Sequence, residues 1–124
     1  MDLTYPYYSF GTLYGTVRNY DNVGNDIGAK DISNGGIFLI VKSRFAQGGT
    51  RLIYKSVGSG IEITSGSDGF FVVTFQSKDL NQTPNEYAWG CFYSPIATVF
   101  VEGTTDVKWI GGGKFTISEG VKPL

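Results

Sequence analysis

Every apolar run in this chain is short, and each is cut off within a few residues by glycine, asparagine, aspartate or proline. Such punctuation leaves little room for the roughly 3.6-residue period of a helix, whereas alternation over about four to eight residues between turn formers marks a strand. The stretch from Gly60 to Leu80 shows the pattern in full. Ile61 and Ile63 alternate, Asp68-Gly69 is a hairpin-type dipeptide, Phe71, Val73 and Phe75 recur at every second position, and Ser77-Lys78-Asp79-Leu80 reads as a polar turn in which Ser77 caps the following amides.

Extended along the chain, the same reasoning predicts strands over Thr12 to Arg18, Gly36 to Arg44, Arg51 to Ser56, Ile61 to Thr64, Phe70 to Gln76, Tyr87 to Tyr93, Ala97 to Val101 and Val107 to Ile117. Their spacing is that of a β-sandwich of seven or eight strands. The run Ile37-Phe38-Leu39-Ile40-Val41 is apolar on both faces, so it belongs to a central strand covered on each side, within the domain or by a neighbouring subunit. Phe70 to Phe75 also lacks a clearly polar face, and two such strands in a small domain leave apolar surface for partners. Gly111-Gly112-Gly113 should interrupt the last strand, as a hairpin turn or as a bulge. The Asn/Asp/Gly-rich segment from Asn19 to Gly36 reads as one long loop with Ile27 and Ile32 tucked beneath it.

A chain of 124 residues suffices for one domain with one core. The division expected is an extended aromatic arm over residues 1–11 and a single β domain over 12–124. Ten basic and eleven acidic residues give a net charge of -1 with no run of either sign, so no nucleic-acid partner is expected. No apolar run approaches the roughly 18 residues that would span a bilayer, and the N-terminus lacks the pattern of a signal peptide. The expectation is a protein with no membrane partner that stays where it is made unless packaged into a particle. The lone Cys91, between Trp89 and Phe92 in a strand pattern, reads as a buried, inert thiol.

The chain has no histidine, which removes the commonest general base and metal ligand and every Ser-His or Cys-His dyad. Carboxylates at Asp68, Asp79, Glu86 and Glu102 are explained by turns and rims, and no enzyme activity and no cofactor are expected. Gly111-Gly112-Gly113-Lys114 lacks the spacing of a phosphate loop and continues into strand. Asp21-Asn22-Val23-Gly24-Asn25-Asp26 clusters oxygens as hard cations require, without the spacing of a calcium loop, so no metal site is assigned. Asn81-Gln82-Thr83 matches a glycosylation acceptor that has no meaning without a secretory route.

One cluster looks built for binding. Tyr5, Tyr7, Tyr8 and Phe10 surround Pro6, which favours an extended backbone, and tyrosine rings supply large contact area at low entropic cost. The alternative is that these rings cover the open end of the domain. Trp89 reads as core, while Trp109, beside the glycines, reads as exposed.

The ordered series Asp31 to Gly36, Ile37 to Arg44, Gly60 to Thr64, Asp68-Gly69, Phe71 to Phe75, Asp79-Leu80, Glu86 to Trp89 and Gly113 to Ile117 resembles a β-sandwich module of phage tail and baseplate proteins, including the N-terminal immunoglobulin-like domain of upper baseplate proteins. Two features depart from that module: Glu86 replaces a glycine, and Ser94 to Gly103 is more apolar, which adds Ile96, Val99 and Phe100 to Trp109 and the N-terminal rings as candidate partner-binding residues. The resemblance implies an immunoglobulin-like antiparallel sandwich and a non-catalytic virion subunit, made in the host cytoplasm. Its partners would be other virion structural proteins and further copies in a symmetric assembly. The role implied is a tail or baseplate adaptor, with capsid decoration, head-to-tail joining and carbohydrate binding for host attachment as alternatives.

Overall fold

A computed structural model describes residues 1–43, 51–96, 100 and 107–119. The fold is all-β. In chain order the strands are β1 (Leu3–Pro6), β2 (Gly11–Thr16), β3 (Arg18–Tyr20), β4 (Asp26–Ala29), β5 (Gly36–Ser43), β6 (Arg51–Val57), β7 (Gly60–Ser65), β8 (Phe70–Phe75), β9 (Asn85–Ser94) and β10 (Lys108–Ser118). Eight of them form one hydrogen-bonded sheet in the order β1-β10-β9-β5-β6-β7-β8-β2, and β3 and β4 form a separate hairpin.

The sheet is rolled, since Phe75 of β8 meets Tyr5 of β1 and Phe115 of β10 from the other end of the strand order, and its shortest pairing lies between β6 and β7. These two pair in parallel over only Ser56↔Gly60 and Val57↔Ile61, so the chain makes a small loop and carries on in the same direction. Gly58 and Gly60 supply positive φ values of 84° and 97° for that loop, a backbone region costly for other residues. In the order of the sheet, β1, β10, β9, β5 and β6 lie on one side of this junction and β7, β8 and β2 on the other.

Period-2 alternation fills the space between them. β9 turns Tyr87, Trp89, Cys91 and Tyr93 inward, β8 turns Phe71, Val73 and Phe75 inward, and Ile37, Leu39, Val41, Phe115 and Ile117 meet them. Each such side chain, fully buried, contributes about 1.5–3 kcal/mol. β5 is apolar on both faces for the reason its sequence predicts: Phe38 and Ile40 point outward into a second, smaller cluster with Phe100, Tyr54, Phe92 and Val107. The cover on that face comes from this chain's own Phe100, whose ring lies 5.7 Å from Phe38 and 5.4 Å from Phe92.

Several expectations are corrected. The strand expected over Thr12 to Arg18 ends at Thr16, because Val17 turns inward and its N–H bonds to the Gly69 carbonyl. The long loop from Asn19 to Gly36 contains the β3–β4 hairpin; Ile32 is fully buried beneath it, but Ile27 is exposed. Of the two outcomes expected for the glycines of β10, the bulge is the one found: the register shifts between Trp109 and Gly111, and the strand runs on through Gly113. Ser77 does not cap its turn. The Gln76 carbonyl accepts from the Asp79 and Leu80 amides, and the Asp79 carboxylate accepts from the Gln76 N–H at 2.7 Å. The first residues are extended as expected, but Leu3–Pro6 is a strand of the sheet, parallel to β10. The strand expected over Ala97 to Val101 lies outside the described residues apart from Phe100.

Candidate functional site

The rolled sheet closes along only part of its length. β1 runs beside the C-terminal half of β10, pairing Leu3 with Phe115 and Pro6 with Ser118. Its Tyr5 ring lies 5.2 Å from Phe75 and 5.5 Å from Phe115, and the Tyr5 hydroxyl donates to the Thr12 carbonyl at 3.3 Å. Gly11 lets the ring come this close, since a Cβ there would run into it. Tyr5 thus joins β1 to β2, and burial raises its hydroxyl pKa above the ordinary value. Farther along, β2 and the N-terminal half of β10 face each other across a seam.

Two adjoining cavities occupy that seam. One, of about 360 Å³, lies between Leu13–Thr16 and Ile110–Gly111, with Met1 at one end and Phe71, Trp89 and Cys91 as its floor. The other, of about 180 Å³, continues it between Thr16–Tyr20 and Lys108–Ile110. The floor is inert. Burial pushes the Cys91 thiol up to about 12, so it is neutral at any physiological pH, and the Trp89 indole N–H donates to the Met1 carbonyl at 2.9 Å.

Exposed rings stand around this seam. Tyr14 (77% exposed), Tyr20 (63%) and Trp109 (66%) all line it. Trp109 keeps its exposure for a local reason: its Nε1 lies over Gly112 and Gly90, where there is no side chain to lift it or bury it. The polar neighbours are Arg18, Asn19 and Lys108. Arg18 Nε donates to both Asp26 oxygens at 3.0 and 3.2 Å, and that hydrogen bond, with one from the Gly28 amide, holds the Asp26 carboxyl below the usual range.

The residues singled out from sequence divide sharply. Tyr5 is committed to the core. Tyr7 is half-buried, with its hydroxyl donating to Asn81 Oδ1 at 2.6 Å. Tyr8, with a left-handed φ of 58°, and Phe10 are exposed beside it. Phe100 is buried in the outer cluster, Ile96 is exposed after β9, and Val99 lies outside the described residues. Among the described residues of the set, Trp109 alone lines the seam. Tyr14 and Tyr20 were missed; Tyr14 sits at an outward position of β2, and a lone aromatic in an alternating strand gives no sequence signal beyond that parity.

The Asp21 loop is a turn. Asp21 Oδ1 accepts from the Val23 and Asn25 amides at 3.0 and 2.9 Å, which lowers the carboxyl pKa, with the Asn25 amide the largest cause. Among the described residues no group of three or more histidine, cysteine, aspartate or glutamate side chains gathers to hold a metal ion. No protein-family model matches the chain, and no curated protein matches it.

Proposed function

We propose that this chain is a non-catalytic docking subunit of a bacteriophage virion, held in place by other structural proteins as a tail or baseplate adaptor. The observation that carries the docking reading is the group of Tyr14, Tyr20 and Trp109. Tyrosine and tryptophan, rigid and amphipathic, are the side chains that protein interfaces concentrate at their centres. The virion setting rests on the ordered motif series from Asp31 to Ile117, and capsid decoration or head-to-tail joining would use the same surface. In this reading the domain is an immunoglobulin-like sandwich whose two layers are joined at the β6–β7 corner.

The test is the chain's copy number in purified particles, together with incorporation of a Trp109→Ala variant. Stoichiometric incorporation, reduced at least about tenfold by losing a central anchor of 1.4 kcal/mol or more, is expected. Absence from intact particles, with the pure protein monomeric at every concentration, ends the proposal.

A second reading has its own support. Trp109 beside Arg18, Asn19 and Lys108 is an aromatic platform with polar groups at its edge, the combination that recognises a sugar ring. Trp109→Ala that abolishes retention on immobilised glycans, yet leaves incorporation unchanged, would put carbohydrate binding in place of docking.

A further inference from the structure

β1 is held by strands far along the chain rather than by its own connection. Its backbone pairs with β10 from Leu3↔Phe115 to Pro6↔Ser118. The Lys114 N–H donates to Asp2 Oδ1 at 3.0 Å, and the Trp89 indole N–H donates to the Met1 carbonyl at 2.9 Å. Leu3 is buried, and the Tyr5 ring packs on Phe75 and Phe115. A seat built in this way from β8, β9 and β10 holds an identical strand equally well whichever chain supplies it.

The connection to β2 is short and strained. Only Tyr7, Tyr8, Ser9 and Phe10 separate Pro6 from Gly11. They make a tight turn in which the Ser9 N–H donates to the Pro6 carbonyl at 3.2 Å. Inside it Tyr8 has a φ of 58° and, among the described residues, is the one non-glycine residue with a positive φ, a conformation costly for a side chain with a Cβ. Short hinge loops under strain favour exchange of the element they carry, because straightening releases the strain. Pro6, at the end of β1, already favours the extended backbone that a straightened hinge adopts.

The hinge also carries apolar surface that the closed chain leaves in water. Phe10 is 81% exposed and Tyr8 44%.

We propose that two copies of this chain exchange β1, the strained turn at Tyr8 straightening in each, to give a symmetric dimer in which each copy's Leu3–Pro6 lies on the other's β10. The occupant is a second copy because the seat is already fitted, residue by residue, to this chain's own β1. The contacts of the seat are kept, two strained turns are lost, and the two straightened hinges run side by side across the two-fold axis. An isologous contact there brings Tyr8 and Phe10 of one copy against the same rings of the other. This inference concerns the chain itself and does not rest on the virion setting.

Cross-linking tests it. Thr4 and Thr116 are Cα partners in the β1–β10 ladder, outside the core, and adjacent strands bring Cα atoms to about 5 Å, within reach of a disulfide. Thr4→Cys and Thr116→Cys chains are mixed in urea under reducing conditions, refolded together at high concentration and then oxidised, with the native Cys91 buried and out of the reaction. A disulfide-linked heterodimer is expected on a non-reducing gel, at least about tenfold above the homodimer that either variant forms alone. Adding Tyr8→Gly to both chains, which gives the turn the residue its backbone prefers, is expected to lower that yield at least about fivefold. No heterodimer, a heterodimer no more abundant than the homodimers, or a yield that Tyr8→Gly leaves unchanged overturns the inference. A single chain carrying both cysteines, refolded dilute, is expected to close the disulfide within itself, and one that stays reduced removes the β1 seat and the inference with it. A heterodimer formed by a protein that is absent from particles upholds the exchange and removes the docking reading alone.

Discussion

The Lys55 ammonium and the Asp79 carboxylate meet at 2.6 Å with both side chains largely buried. Lys55 reaches this position by passing Gly60, where any Cβ would collide with its stem. The pair ties β6 to the turn that follows β8, since Asp79 also holds the Gln76 amide. Asp79→Ala leaves the ammonium without its partner and should cost about 3–5 kcal/mol, whereas Lys55→Met combined with Asp79→Ala should recover most of that loss. Urea denaturation of the three proteins checks this, and an additive double variant would show that the two groups do not act as a pair. Cys91 allows a second check. Its burial and high pKa predict that iodoacetamide at pH 8 labels it only after global unfolding, as mass spectrometry with and without urea would show.

At the scale of elements, β1 decides whether the roll closes. Leu3 is buried, Tyr5 packs on Phe75 and Phe115, and Lys114 N–H donates to Asp2 Oδ1 at 3.0 Å. Removal of Met1 to Tyr8 should therefore destabilise the fold by several kcal/mol, on the order of two lost core side chains, rather than leave a sound domain that merely fails to assemble. A truncated protein with an unchanged urea midpoint would show that β1 is only an arm. The β3–β4 hairpin behaves differently, because surface carboxylates hold it. Asp21 and Asp26 have pKa values lowered by the Asn25 amide and by Arg18, so their contribution is complete above the unfolded value of about 3.9 and is lost as pH falls through the folded values. Amide exchange should show this hairpin loosening below about pH 4 while β5 and β9 stay protected. Loosening of both together would contradict a local carboxylate effect.

Over the whole molecule, the main core is one cluster reached by residues from nearly every strand. Tryptophan fluorescence, reporting the buried Trp89 beside the exposed Trp109, and far-UV circular dichroism should give coincident urea transitions. Separate midpoints would mean that part of the sheet unfolds alone. Much of this architecture was legible in the residues. Alternation set which of Phe70 to Phe75 and Tyr87 to Tyr93 face inward, the double-sided run at Ile37 to Val41 marked the central strand, and Asp68-Gly69 marked its hairpin. Period-2 patterning is local chemistry, so a linear reading captures it. The sequence by itself therefore determined an all-β chain, its core faces and an inert cysteine. Tertiary structure decided that Leu3–Pro6 is a strand, since a four-residue segment ending in proline is held by a partner more than a hundred positions away. It also decided that Gly111–Gly113 continue β10 and that a seam opens between β2 and β10. Those outcomes depend on which edges meet when the sheet rolls, a long-range geometry that no neighbouring residues encode.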